Sequence, residues 1–577
     1  MTRRRLLAAV ALAVVGWLGL CGMLLLGAKS DASRGLAAVN AAKKLTAPDD
    51  LLAGAPVRPL GAARSAFRSA HRRLSHPLLA PLKAVPVAGR QLRAAEAMAG
   101  AASQVADVGA DSVDEARAAL QLPHGNGAER IALLRRLHDV AARASSRLDP
   151  IRLGPSKALI GPISERRAEL DDKLGSIRRG LRDGAVASAG LADLLGGPRR
   201  YLVLAANNAE MRAGSGEFLS AGELTINNGE LTLGPLRWTG AIKVPDEVAP
   251  PIGDADFAAR WGFLNPHHEW RNLGASPRFP ASAQLAARMW PAIGGAQVDG
   301  VLALDPVALQ ALLKATGPVE VGGRSINADN VVGLLLHEQY AGLSAGGGAF
   351  DVAQAARREE LGQIARSVIE RLSTGPFEVG ALAGALADAA RGRHLLAWSS
   401  KPGDQAAWEG SGIDGSLSRD SLMVGLLNRG GNKLDWFTPV TADLKVAKDG
   451  RSTLTVTMKN NTPAGQNVYV EGPYPGSGAA GGDYIGILSV VLPIFAADAQ
   501  IEGFDRYAAA GPDGPAQVAA VGPVTVKRGE TTTVTVRFRM AHKGSLTIEP
   551  SARVPAIKWT VNGRVLYDDQ PQKVTWG

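Results

Sequence analysis

Between Asn207 and Phe218 the chain gathers two amides, two carboxylates, an arginine and two glycines: Asn207, Asn208, Glu210, Arg212, Gly214, Gly216 and Glu217. A planar guanidinium meets phosphate oxygens two at a time, so Arg212 is a candidate anion ligand, with Arg271 and Arg278 further along as candidate helpers. A carboxylate such as Glu210 or Glu217 can hold a hard cation or take a proton from an attacking hydroxyl. The candidate catalytic residues are therefore Arg212, Glu210 and Glu217. The candidate ligand-binding residues are Asn207, Asn208, Gly214, Gly216, Arg271 and Arg278. The rival reading gives all of them a structural task. Amides after a strand commonly satisfy nearby backbone groups, a Glu–Arg pair often ties a loop to itself, and Gly214 and Gly216 would supply positive φ.

Other chemistry-bearing residues point less far. His267-His268 are adjacent, which does not aim two ligands from one helix face, and no third ligand is obvious, so no metal site is expected. Ala213-Gly214-Ser215-Gly216 is off register for a Gly-x-Ser-x-Gly nucleophile turn. Asp305-Pro306 reads as a helix cap followed by proline at the first helical position. Lys433-Leu434-Asp435 reads as a junction between domains.

The elements that would position these residues follow from hydrophobic pattern. Tyr201-Leu202-Val203-Leu204-Ala205-Ala206 is an apolar run the length of one buried strand, and the polar residues after it read as a loop at the strand's end. Leu224-Thr225-Ile226 and Leu231-Thr232-Leu233 flank Asn227-Asn228-Gly229, a hairpin signal, because Asn and Gly tolerate positive φ. From Arg200 to Asp435 short strands alternate with helices. The helices are expected at Gln284–Ile293, Val307–Thr316, onward from the Asn327-Ala328-Asp329 cap to Tyr340, Val352–Leu372 and Val379–Arg391; the strands at Val298–Leu304, Val319–Val321 and Leu395–Ser399. That alternation predicts α/β architecture, where ligands sit on loops at strand ends. After Trp436 the texture changes to alternating runs such as Thr453–Met458 and Thr532–Phe538, with Val521–Val526, Ser545–Ile548, Ile557–Val561 and Val565–Tyr567. This predicts a β-sandwich.

Ahead of the core, Arg3-Arg4-Arg5 precede an uncharged run from Leu6 to Ala28, enough to cross a hydrocarbon core of ~30 Å. Arginines at its front predict an N-terminus in the cytoplasm and a single-pass plasma-membrane protein whose bulk is extracytoplasmic. The run is long for a signal peptide and no small-residue cleavage site follows at once, which favours an uncleaved anchor. Leu20 before Cys21 argues against a lipidation site, and with Cys21 the only cysteine there is no intrachain disulfide. Residues 29–197 are rich in Ala, Leu and Arg and read as a helical stem, with helices near Ala94–Leu120, Glu129–Leu148 and Ile163–Leu195, the last interrupted at Gly175 or Gly180. The predicted organisation is a multidomain α+β chain: cytoplasmic tail 1–5, transmembrane anchor 6–28, helical stem 29–197, α/β core 198–435 and β-sandwich 436–577.

The net charge of +10 is concentrated near the N-terminus, where residues 51–100 hold eight Lys and Arg against one acid. Beside a bilayer such an excess attracts anionic lipid or polymer. No reading helix or aromatic-interleaved basic groove accompanies it, so nucleic acid is not an expected partner.

The block Tyr201–Phe218, with Asn207, Asn208, Glu210, Arg212, Gly214, Gly216 and Phe218, resembles the signature of domain of unknown function 4012. So do Phe279-Pro280-Ala281-Ser282-Ala283, Val298–Pro306, Thr316-Gly317-Pro318-Val319 and Asn432-Lys433-Leu434-Asp435. That resemblance implies a membrane-anchored envelope protein of the kind common in actinobacteria, and no particular activity. The order of strand, polar loop, hairpin and then Val298-Asp299-Gly300-Val301, Asp305-Pro306 and Thr316-Gly317-Pro318-Val319 is similar to the LytR-CpsA-Psr family. Those enzymes move a glycopolymer from a polyprenyl diphosphate to the cell wall. The similarity implies arginines on a diphosphate and acids on a divalent cation, Mg if the chain is enzymatic. That family's first loop begins with an aspartate where this chain has Asn207 or Asn208, and its Arg-Ser-Asp element is matched only by Gly214–Phe218. Two functions follow as expectations: an envelope protein binding an anionic glycopolymer, a lipid-linked glycan or a partner, and a glycopolymer phosphotransferase.

Overall fold

The computed structural model describes every residue except 1, 2, 46–49, 51, 52, 124, 342, 344–347, 376, 378, 474–478, 567, 568 and 577. It divides into two compact units, Met1–His124 with Glu129–Ala192, and Gly125–Ala128 with Asp193–Gly577.

The first unit is helical. Its leading helix, Arg3–Ala42, contains the one segment among the described residues long and apolar enough to cross a membrane, Leu12–Ala42. The helix does not end with the apolar run at Ala28, because Lys29–Ala42 contains no proline and many good helix formers. Asp31, buried there, accepts from Arg73 Nε at 2.7 Å and from Arg34. Helix Val57–Leu74 buries Ala63, Phe67, Ala70 and Leu74, a stripe at three- and four-residue spacing. Gly35 leaves room for the Phe67 ring, since a Cβ there would stand 2.7 Å from it. Helix Pro86–Leu120 starts earlier than the sequence suggested, with proline at its first position. Its buried residues are mostly alanines, which let helices approach closely. Helices Gly127–Leu148 and Gly161–Gly196 follow. The second runs unbroken through Gly175 and Gly180, since glycine lowers helix stability by only about 1 kcal/mol and neighbours can absorb that.

Among the described residues the second unit holds three six-stranded sheets and a two-stranded one, with helix Phe279–Ala292 packed on the first. Its opening strands are β1 (Arg199–Met211), β2 (Gly216–Asn227), β3 (Glu230–Leu233), β4 (Arg237–Trp238), β5 (Gly300–Leu304), β6 (Val319–Val321), β7 (Arg324–Ile326) and β8 (Leu395–Ser399). The first sheet runs β3-β2-β1-β5-β8, with β4 on β2. β1 and β5 are parallel, and the chain between them includes helix Phe279–Ala292; the other neighbours are antiparallel. The β2–β3 turn places Asn228 at φ 50° and Gly229 at φ 79°, the two-residue turn that the Asn-Gly pair predicts. Asp305 caps helix Pro306–Thr316, which stops at Gly317 with φ 80°. The helix expected to reach Tyr340 is shorter, Val331–Leu336, followed by a 3-10 turn Glu338–Tyr340. Helices Gly348–Thr374 and Val379–Arg391 lie where alternation placed them.

One local expectation is corrected. The apolar run does not end in a polar loop at Asn207. β1 continues to Met211, pairs Asn207 with Glu217 and Met211 with Gly216, and reverses only across Arg212–Ser215, where Arg212 N donates to Ser215 O at 2.8 Å. The polar residues can stay in the ladder because each meets a polar partner inside the protein.

The C-terminal strands are β9 (Ser421–Asn428), β10 (Val440–Val446), β11 (Arg451–Lys459), β12 (Tyr484–Leu492), β13 (Ala497–Ile501), β14 (Ala509–Asp513), β15 (Ala516–Val526), β16 (Thr531–Arg539), β17 (Gly544–Glu549), β18 (Lys558–Val561), β19 (Arg564–Leu566) and β20 (Gln572–Trp576). They form an inner sheet, β14-β15-β12-β9-β17-β20, and an outer sheet, β13-β16-β11-β10-β18-β19. The two share a core in which Leu422, Val424 and Leu426 meet Leu444, Leu454, Val456 and Val536. The inner sheet's other face adds Leu427, Ile487, Val518 and Ala520 to the core of the first sheet, beside Leu202, Leu204, Trp270 and Trp290. β9 is thus a central sandwich strand although it precedes the boundary expected at residue 436. Tyr567, expected in a strand, lies outside the described residues.

Candidate functional site

The far end of β1 is a buried polar seam. Asn207 donates through Nδ2 to Tyr340 Oη at 2.7 Å and accepts from Ala209 N at 2.9 Å. Asn208 donates through Nδ2 to Asp305 Oδ2 and to the Ala552 carbonyl, both at 2.6 Å. Asp305 does more than cap: its Oδ1 accepts from Val307 N and Ala308 N, while Oδ2 also lies 2.6 Å from His394 Nδ1. His394 Nε2 in turn faces Asp569 Oδ2 at 3.2 Å. Burial pushes the His394 imidazole down, but the two aspartates outweigh it and carry it up to about 10.

Next along the strand, the Glu210 carboxylate is paired with Lys433 Nζ, both buried. Lys433 also sits over the Tyr469 ring, 4.6 Å from its centroid. Burial opposes that lysine's charge; Glu210 and the tyrosines win, and its pKa is raised. Met211 N donates to Asp435 Oδ2 at 2.9 Å. Asp435 and Arg553 are fully buried and paired at 2.6 Å, and Asp435 also accepts from Asn428 and Tyr484. Lys433-Leu434-Asp435 is therefore the chain's contribution to this seam, and more than a connection.

At the turn, Arg212 Nη2 meets Glu217 Oε2 at 2.6 Å with both side chains 7% exposed. The rest of the Arg212 guanidinium is taken by the carbonyls of Arg271, Met211 and Asn428 at 2.9, 2.9 and 3.1 Å. Burial pushes the Glu217 carboxyl up to about 7, against the pull of Arg212, Lys433 and Arg271. Arg271 is half-buried, forked onto Glu269 at 2.9 and 2.7 Å, with its Nε 3.9 Å from Glu217 Oε1. Arg278 joins a different group: it forks onto Asp254 at 2.8 and 2.7 Å and reaches Asp513 at 2.5 Å. Gly214 and Gly216 have no positive φ; they permit close approach. A Cβ at Gly214 would lie 2.8 Å from Pro277 Cα, and one at Gly216 only 2.4 Å from the Asn207 carbonyl carbon.

The structure thus brings Asn207, Asn208, Glu210, Arg212, Gly216, Glu217 and Arg271 together, each engaged within the protein. The sequence reading missed His394, Lys433, Asp435, Tyr340 and Arg553 as members. Only Lys433 and Asp435 carried a signal, as charged residues in an otherwise turn-like block. His267 and His268 are in ring contact at 4.1 Å, and His268 Nδ1 lies 2.9 Å from the Val244 carbonyl oxygen. Among the described residues no group of three or more His, Cys, Asp or Glu is arranged to hold a metal ion.

Part of this geometry falls inside a recognisable sequence block. Residues 196–340 match the family described as protein of unknown function (DUF4012). The DUF4012 match supports the resemblance drawn from Tyr201–Phe218 and spans β1 to the 3-10 turn at Tyr340, so it includes Asn207, Asn208, Glu210, Arg212, Glu217 and Asp305. The seam's other half, His394, Lys433, Asp435 and Arg553, lies beyond the matched DUF4012 residues. No curated protein and no solved structure matches the chain.

Proposed function

We propose that this chain is a membrane-anchored, extracytoplasmic envelope protein that binds an anionic glycopolymer, a lipid-linked glycan or an envelope partner, and that its charged signature is a structural clamp. Helix Arg3–Ala42 is the anchor. The arginines at its front keep the N-terminus in the cytoplasm, and the second unit lies on the other side. The observation that carries the reading is the pairing of Arg212 with Glu217, Glu210 with Lys433, and Arg553 with Asp435, all buried. Buried charges are costly unless paired, and each pair here is spent on the protein's own packing. A clamp of this kind fixes the β1–β2 hairpin against the inner sheet and leaves recognition to the surfaces around it.

The phosphotransferase reading keeps one specific support: Glu217, with its carboxyl at about 7, stands 3.9 Å from the half-buried Arg271, a pairing that a general base beside a diphosphate ligand would use. The test uses the full chain in lipid nanodiscs with a polyprenyl diphosphate and Mg. The clamp reading expects no turnover above the rate without protein, and an Arg271→Ala variant that stays folded and behaves as the parent. Turnover lost in Arg271→Ala would favour the enzyme.

A further inference from the structure

We propose that the turn between helices Val57–Leu74 and Pro86–Leu120 is a second membrane element, a proline-rich wedge that enters the lipid beside the anchor. This rests on the reading of Arg3–Ala42 as the anchor. The wedge is Pro77-Leu78-Leu79-Ala80-Pro81-Leu82, continuing through Val85-Pro86-Val87. It is fixed to the apolar part of the anchor: Trp17 Nε1 donates to the Leu78 carbonyl at 2.9 Å, and Cys21 Sγ donates to the same oxygen at 3.5 Å. Cys21 and Trp17 precede Ala28 by roughly 10 and 16 Å of helix at 1.5 Å per residue. Any bilayer placement that buries the uncharged run to Ala28 therefore takes Leu78 into the outer leaflet of a core ~30 Å thick.

The wedge is built for that solvent. Lipid offers no hydrogen bonds, so each free backbone N–H there is costly. Pro77, Pro81 and Pro86 have none. Leu78 N donates to His76 Nδ1, Leu79 N to His76 O, Ala80 N to Pro77 O and Val85 N to Leu82 O. Leu78, Val85 and Val87 are exposed, Leu78 and Val85 in part and Val87 at 69%. The charges sit where the lipid headgroups would be. Arg73 pairs with Asp31 and lies against Gly27, at the end of the uncharged run. Arg68, Arg72, Arg90 and Arg93 are exposed on the same two helices. Lys83, the one charge on the wedge, is paired with Glu96 at 2.6 Å. A basic collar above an apolar tip is the arrangement that holds an interfacial element on anionic lipid. It also accounts for the eight-to-one basic excess of residues 51–100.

The test is depth-dependent quenching in the full chain, carrying Cys21→Ser and reconstituted in phosphatidylglycerol–phosphatidylethanolamine vesicles. Single cysteines are labelled with bimane at Val87→Cys, at Met23→Cys on the exposed face of the anchor, and at Asp139→Cys on the stem helix whose Arg143 meets Glu115. Val85→Cys serves as a second wedge position. The wedge predicts that Val87→Cys and Val85→Cys labels are quenched by nitroxide lipids as strongly as Met23→Cys and escape aqueous iodide, with Asp139→Cys the reverse. If Met23→Cys is quenched by lipid while both wedge labels answer only to iodide, the wedge is overturned and the anchor stands. If Met23→Cys also escapes the nitroxide, the anchor reading falls and the wedge falls with it.

Discussion

The sequence allowed a structural Glu–Arg pair, with Glu210 beside Arg212; in the structure Arg212 takes Glu217, five residues on across a tight turn, and Glu210 takes Lys433. Their remaining neighbours were not readable. Lys433 and Asp435 stood out only as charges in a junction-like block, His394 and Arg553 come from stretches with no local pattern of their own, and a buried charge in a sequence looks like any other charge until its partner is placed. Asp305 was read correctly as a cap, but nothing near it in the chain announced His394. The Asp305–His394–Asp569 contact has a measurable consequence. The imidazole is held at about 10 in the folded protein against 6.5 as its ordinary value. Its contribution to stability is therefore complete below about pH 6.5 and is lost as the pH rises toward about 10. Urea unfolding of the second unit should show a midpoint that falls across that window. In His394→Gln the fall should be shallower, and the variant should be less stable than the parent at pH 6.5. An equal slope in both proteins would remove His394 as its source.

Among the elements, legibility followed solvent. β11 and β16 have one wet face, so Thr and Val alternate and the sandwich could be predicted from them. β9 is buried along its whole length and β12 almost so, because the inner sheet is covered on both sides. Their continuous apolar runs lacked the alternation that identifies a strand, and the sandwich was placed to begin too late. The β1–β2 hairpin was misread as a loop for the complementary reason: its residues are polar, yet they are interior. Two glycines show how tightly that hairpin seats. A Cβ on Gly425 of β9 would lie 2.5 Å from the Ala213 carbonyl oxygen, and one on Gly216 would strike the Asn207 backbone. Overpacking of this kind costs about 1–3 kcal/mol. Gly425→Ala and Gly216→Ala should each lower unfolding stability by that amount, while Gly403→Ala, where a Cβ meets nothing within 4 Å, should fall within about 0.5 kcal/mol of the parent. Calorimetry on the three variants checks this.

For the whole molecule, the N-terminal apolar helix and the mixed α/β and all-β texture of the second unit were visible in composition and periodicity, while the sharing of one inner sheet between two cores was not. That sharing gives the charged seam its place, at the edge where the first sheet's hairpin meets β9 and the turns around Asp435 and Arg553. If Arg3–Ala42 is an uncleaved anchor, the full chain should stay with the membrane after alkaline carbonate washing. A C-terminal tag should be protease-accessible on intact spheroplasts; a washed-out chain would contradict the anchor. The claim that the signature at the hairpin turn is a clamp is tested most directly by a double-mutant cycle in the full chain, Arg212→Met, Glu217→Met and both together, read by denaturant unfolding and by polyprenyl diphosphate binding. Leaving one buried charge alone should cost about 3–5 kcal/mol, and the double replacement should cost less than the sum of the two single ones, with binding unchanged. Single variants as stable as the parent, or a stable double variant that has lost diphosphate binding, would contradict the account.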